Sequence, residues 1–257
     1  MSNPVKTAFK ALTPEQQSFV NDKQIAGQHS PDEWLAFLNP VAEFDRQCEE
    51  IRHGGGGFFA RRFARKHNLP DALNSFAIPL LPILREDHDP GKPLELRIDL
   101  SGPEQSSKET GKGEPYKKGS YYRIVDTFYD DPWIEGRARF ADGADVHFTV
   151  IDHLRDSHKR KKSASGKTKL KVKAKKKIEL VVEVSFPVRN YAPAAEPVPS
   201  RGAVKKESVK PREDRTVVRL NRIVPAERPL DPPHIDYLLE LIAGAYARVD
   251  PSRRKKL

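Results

Sequence analysis

The chain has 257 residues with 37% apolar and 32% charged side chains, the latter above the rough quarter of an ordinary globular domain, so a folded core shares the chain with long solvated stretches. It carries a net charge of +10 and one cysteine, Cys48, which excludes an internal disulfide and a thiolate metal site and suits a reducing cytoplasm. No run of about 18 uncharged apolar residues occurs, and no apolar stretch follows a basic start, so neither membrane spanning nor export is expected.

Two helix starts open the chain. Thr13-Pro14-Glu15-Gln16 and Ser30-Pro31-Asp32-Glu33 each set a hydroxyl cap before a proline, with Gln or Glu three residues on to reach back to the cap. Pro40 is expected to stop the second of these short helices. A third follows, with Val41, Phe44, Cys48 and Ile51 on one stripe, and Gly54 to Gly57 end it. Residues 58–67 predict a further helix with Phe59 and Phe63 on one face and Arg61, Arg62, Arg65 and Lys66 on the other. Pro70, Pro79 and Pro82 then predict irregular packed chain rather than a regular element.

From Leu94 the period changes to two: Leu94, Leu96, Ile98 and Leu100 alternate with charged residues, as a strand buried on one side does. Residues 101–119 read as an exposed loop. Strands follow over 121–128, 133–140, 145–155 and 168–186, a meander of consecutive neighbours, with Asp130-Asp131-Pro132 as a solvated turn. A two-residue Asp142-Gly143 hairpin would set Phe140 against Asp145 and Arg137 against Phe148. An odd loop of three or five residues avoids this, and the expected pairs are Phe140 with Val146 and Ala138 with Phe148.

In the last strand Leu170, Val172, Ala174, Ile178, Leu180, Val182, Val184 and Phe186 occupy even positions, and Lys169, Lys171, Lys173 and Lys175 odd ones. At about 3.3 Å per residue it extends roughly 60 Å, so its basic half is expected to project, with Lys176 as the bend and residues 157–166 as a mobile tip. Residues 187–214 hold five prolines and read as a linker or arm. A strand over 216–224 and a helix marked by Ile235, Leu238, Leu239, Ile242 and Tyr246, capped by Asp231, close the chain. The expected fold is α+β: helices over 1–92, an antiparallel meander or sandwich-like sheet over 93–186 with a basic hairpin at 153–177, the arm, and a strand plus helix over 215–257 packing on the sheet.

Charge is concentrated. Residues 153–177 contain twelve Lys and Arg against one acid, Asp156, a net of +11 that leaves the rest of the chain at −1. Smaller basic clusters lie at 59–66 and at Arg253, Arg254, Lys255 and Lys256. Lysines on alternate strand residues are spaced about 6.6 Å, near the phosphate spacing of extended nucleic acid. The expected contacts are Arg155, Lys159, Arg160, Lys161, Lys162, Lys167, Lys169, Lys171, Lys173 and Lys175, with Arg61, Arg62 and Arg65. The aromatic residues Tyr116, Tyr121, Tyr122, Phe128, Tyr129 and Trp133, interleaved with Lys117, Lys118 and Arg123, suit either base stacking or a sheet core, according to their exposure.

Other chemistry is thinner. Ser165-Gly166-Lys167-Thr168 ends like a phosphate loop, but Lys161 stands where its first glycine belongs. His53 and the four glycines after it have no G-x-S-x-G elbow to serve. On a strand, His147, Asp152, His153, Asp156 and His158 are too far apart to share a metal, except for Asp156 with His158. Glu86, Asp87, His88 and Asp89 read as a solvated turn. No catalytic residue, metal or cofactor is assigned. The leading reading is a non-enzymatic subunit of a larger hetero-complex that holds an RNA or DNA backbone. An adaptor docking acidic protein partners is second, and a metal-dependent hydrolase built on Asp152, His153, Asp156 and His158 is third.

Overall fold

The computed structural model describes residues 4–54, 57–163, 165–194, 204–226 and 231–251. The remaining residues, among them Gly55, Gly56, Ala164, the middle of the proline-rich arm and the C-terminal basic cluster, lie outside this description.

Two helices, α1 (Pro4–Ala11) and α2 (Pro14–Asp22), start the chain. The Thr13 capping box forms as its sequence predicts, and Lys23, in the left-handed conformation at φ 59°, ends α2 and turns the chain into β1 (Gln24–His29), a strand the sequence did not announce. Ser30 caps α3 (Pro31–Gly54), with its backbone N–H donating to Glu33 Oε2 at 2.7 Å. Pro40 does not stop this helix. It sits on the exposed side, as does Ala36, whose carbonyl loses its N–H partner, while Trp34, Leu38, Val41, Phe44 and Cys48 form one buried stripe across it. Burying those side chains, at about 1.5–3 kcal/mol each, outweighs a proline penalty of about 3 kcal/mol.

Helix α4 (Phe58–His67) buries Ala60, Ala64 and His67. Phe63 packs between Phe9 and His67, but Phe59 is 80% exposed and does not share the buried face expected for it. Residues 73–87 are helical rather than irregular. A wide turn over Leu73–Ala77, in which Ile78 N–H donates to Leu73 O, leads into α5 (Ile78–Asp87), so Pro79 falls in a first turn where its missing donor costs least. His88, read as part of a solvated turn, is buried and bridges to Phe140.

The strands are β2 (Leu94–Asp99), β3 (Glu109–Lys112), β4 (Tyr116–Lys118), β5 (Tyr121–Arg139), β6 (Asp145–Lys162), β7 (Thr168–Pro187), β8 (Tyr191–Pro193), β9 (Val204–Pro211) and β10 (Arg215–Pro225). Helix α6 (Asp236–Tyr246) and β11 (Val249–Pro251) complete the described chain. One antiparallel sheet runs β1-β2-β5-β6-β7-β10-β9 with β3 and β4 on the far half of β5, and β8 pairs with β11 separately. The fold is therefore α+β with an antiparallel meander, N-terminal helices and a C-terminal helix.

Several expectations shift in detail. The 101–119 segment is largely exposed but contributes β3 and β4. The expected turn at 130–132 is instead a bulge inside one continuous strand: Pro132 pairs with Ile151 and Ile134 with Val150, leaving Trp133 unpaired and packed on Phe76. A residue without an N–H is readily accommodated at a bulge. The β5–β6 loop is Ala141-Asp142-Gly143, an odd length as parity requires, with Phe140 N–H donating to Ala144 O at 2.8 Å and Gly143 at φ +88°. Its register is Ala138 with Val146 and Gly136 with Phe148, two residues from the expected pairs but with the same faces. β6 extends to Lys162 rather than ending near Arg155, and the arm supplies β8 and β9. Asp231 does not cap α6, which begins after Ile235 without a side-chain cap.

One hydrophobic core joins the even-numbered residues of β7 from Ile178 to Phe186 to Trp34, Phe44, Phe76, Leu84, Leu238 and Leu241. The helices cover this face of the sheet. Among the described residues, the other face carries the exposed or half-buried Glu95, Arg137, His147 and Glu183 and is left uncovered there, although toward the hairpin Ile124, Asp126 and Ser157, on the same face, are buried.

Candidate nucleic-acid interface

β6 and β7 pair without a register shift from Asp145 with Ser185 to Lys162 with Thr168, so the basic segment is paired extended chain as expected. Lys176 marks no break in that ladder, and its expected role as a bend is not seen in the pairing. The two strands sort the cations by parity. On the uncovered face Arg155 lies opposite Lys175, Lys159 opposite Lys171 and Lys161 opposite Lys169, with Lys173 and Lys177 alongside. Arg160 and Lys162 alternate to the other face with Leu170 and Val172, and Lys167 stands at the tip, where its carbonyl accepts from Ser163 N–H.

Like charges facing each other across a strand pair are destabilising. Among the described residues, no lysine of this face forms an ion pair, and Arg155 reaches Asp126 only at 4.0 Å. Lys159 and Lys161 each stand 5.8 Å from the centre of the Tyr121 ring. Arg61, Arg62 and Arg65 are exposed as expected, but on α4, which packs on α1 and α3 rather than beside the hairpin.

At the foot of the lysine rows lies a groove of about 640 Å³ lined by Thr110, Phe128, Tyr129, Asp130, His153, Leu154, Arg155, Lys175 and Lys177. His153 bridges two carboxylates, Asp130 at 2.6 Å and Glu179 at 2.7 Å. Partial burial works against the imidazolium, but these two hydrogen bonds and charges outweigh it and raise its pKa above the ordinary value. A raised folded-state pKa gives stability that is complete below the unfolded value and fades as pH rises through the folded one. His153→Gln is therefore expected to lower the unfolding temperature more at pH 5.5 than at pH 9, and an equal loss at both would show that the bridge carries no charge.

A second polar cluster, which the sequence reading missed, anchors the hairpin to the body. Lys108 Nζ lies 2.9 Å from Asp99 and 2.7 Å from Asp131, and Lys176 Nζ lies 2.9 Å from Asp152 and 2.7 Å from the Asp231 carbonyl. Burial holds the Asp131 and Asp152 carboxyls above the ordinary carboxylate range against the pull of their lysines. At Asp99 burial acts the same way, but hydrogen bonds from Ser101 and Lys108 leave its carboxyl below the ordinary value. Nothing in the composition of 101–119 distinguishes Lys108 from Lys117 or Lys118. The available sign was at the other end: Lys176 is a charged residue in an otherwise apolar even series, and buried charges need partners.

The residues of the third, metal-dependent reading stand apart, as strand spacing led one to expect. His153 is on the uncovered face with Asp130 and Glu179, Asp152 is taken by Lys176, and only Asp156 and His158 meet, at 3.0 Å. Among the described residues, no three His, Cys, Asp or Glu side chains are placed to hold a metal ion. The aromatic cluster divides. Trp133 is core at 4% exposure, whereas Tyr116, Tyr122 and Phe128 are 40–41% exposed. Among the described residues no helix is long and apolar enough to cross a membrane. No protein-family model, curated protein or solved structure matches this chain.

Proposed function

We propose that this chain is a non-enzymatic subunit that holds the phosphate backbone of RNA or DNA, within a larger complex in the cytoplasm, on the uncovered face of the β6–β7 hairpin. The observation that carries the reading is the cationic face itself: Arg155, Lys159, Lys161 and the odd lysines from 169 to 177 stand on one side of paired strands with no carboxylate of the described residues to neutralise a lysine. Such a surface tracks a backbone without reading bases. The cytoplasmic setting rests on a single thiol, Cys48, which is buried and whose pKa burial, above all, pushes up to about 12.

The test is a salt series with RNA and DNA of unrelated sequence. If about six phosphates are contacted, the log–log slope is expected near −4 for single strands and −5 for duplex. Changing Lys169, Lys171, Lys173 and Lys175 together to Gln should flatten it by about 3, because all four side chains are exposed and their loss leaves the core intact. No binding at low salt, or an unchanged slope, refutes the reading.

A second reading has its own observation. On the opposite face of the finger Leu170 is 60% and Val172 50% exposed, and among the described residues no strand pairs with the outer edge of β7 before Lys177. An acidic and apolar strand of a protein partner would fit there, and a chain that binds no nucleic acid in the salt series would leave this as the function.

A further inference from the structure

We infer that the groove at the foot of the hairpin is a subsite for single-stranded nucleic acid, with one unpaired base stacked on Phe128 and the adjoining phosphates on Arg155, Lys175 and Lys177. This rests on the backbone-binding reading and names the form of nucleic acid that the face takes. Phe128, Arg155 and Lys175 form one cross-strand row: Phe128 pairs with Arg155 on β6, and Arg155 with Lys175 on β7. Neighbouring strands are about 4.8 Å apart, so the ring lies about 10 Å from the outer lysine row, the reach of a sugar and base from a phosphate held there. Phe128 is 41% exposed, while Tyr129, beside it in the groove lining, is half-buried and Trp133 at the bulge is spent on the core. The groove's volume of about 640 Å³ falls within the 300–1,000 Å³ of ordinary small-ligand sites. Asp130, the acid in its wall, is engaged by His153 at 2.6 Å rather than turned on an incoming phosphate.

The geometry discriminates against duplex. A base in a duplex is stacked on both sides, so its face cannot also cover Phe128, and only the backbone contacts remain. Stacking on an aromatic ring is tolerant of base identity, so the subsite adds affinity for single strands without a sequence code.

The test measures binding of labelled oligo(dT), oligo(U) and a DNA duplex by fluorescence anisotropy at low salt, with the full chain and two variants. Phe128→Ala is expected to weaken both single strands about 5- to 100-fold, with the duplex changed less than about twofold and the salt slope kept, while Phe128→Trp binds single strands at least as well as the parent. Equal weakening of single strands and duplex, or no change in Phe128→Ala, overturns the subsite and leaves the backbone reading intact. No binding of any of the three by the parent chain overturns both. Thermal unfolding of each variant confirms that the half-exposed ring was removed without loss of the fold.

Discussion

Lys176→Ala is expected to cost about 3–5 kcal/mol in denaturant unfolding at neutral pH, a large part of the stability of a domain this size. The lysine is 8% exposed and its ammonium holds both Asp152, at 2.9 Å, and the carbonyl of Asp231, at 2.7 Å. Truncation leaves the Asp152 carboxylate buried opposite Asp131 in the β5–β6 ladder, with Lys108 already shared between Asp99 and Asp131. The penalty is that of an uncompensated buried charge, not of a lost contact, which sets two further results. Because the variant removes the Lys176 charge and hydrogen bond, the strongest opposition to the burial that raises the Asp152 carboxyl, the cost should shrink as pH falls and the acid is protonated. The pair Lys176→Met with Asp152→Leu should recover most of the loss, as apolar replacement of buried ion pairs commonly does. A single-variant cost below about 1 kcal/mol would mean that the cluster is wet and that the finger is not anchored there.

That anchor explains how a finger so rich in like charges stays paired. Three cation pairs face each other along β6 and β7, each opposing the ladder. Their repulsion is offset at the base, where an apolar face continues into the core from Ile178 onward and Lys176 is fixed between β6 and the segment before α6. The same arrangement leaves the lysines turned outward, since the carboxylates at the base are already engaged, Asp99 and Asp131 by Lys108, Asp152 by Lys176, and Asp130 and Glu179 by His153.

What the sequence made legible follows from local rules. The Thr13 and Ser30 caps, the period-two runs of β2 and β7 and the odd β5–β6 loop each depend on neighbours in sequence, and each forms. The departures are places where burial overrode a local preference. Pro40 and Pro82 lie inside helices whose apolar stripes cross them, and Pro132 sits at a bulge that keeps one strand where two were expected. Parity fixed the faces of the hairpin, yet register slipped by two because alternation is blind to even shifts. The lysines of the candidate site were visible as charge, but their division between two faces came only from pairing, and Lys108 became part of the anchor only through contacts with Asp99 and Asp131, the first 9 residues before it in the chain and the second beyond β3 and β4.

The centre of the sheet offers the other large effect. Gly136 lies on β5 between Leu96 of β2 and Phe148 of β6, and a Cβ there would stand 2.3 Å from Phe148 Cζ, 2.5 Å from its Cε1 and 2.9 Å from Leu96 Cδ2. Neither neighbour has room to yield, since Phe148 is fully buried and Leu96 nearly so. Gly136→Ala is thus expected to destabilise by about 3 kcal/mol, the upper end for one overpacked methyl, although alanine is otherwise better than glycine in a strand by about 0.5–1 kcal/mol. Phe148→Leu combined with Gly136→Ala should cost less than the two changes added, because the smaller side chain vacates the volume the methyl needs. Strict additivity, or a neutral Gly136→Ala, would show that the ring does not lie over the glycine. The clash falls on the core face, on the side of the sheet opposite Lys169 to Lys175, so at temperatures where Gly136→Ala remains folded its salt slope for nucleic acid should match that of the parent chain, separating what holds the finger from what the finger holds.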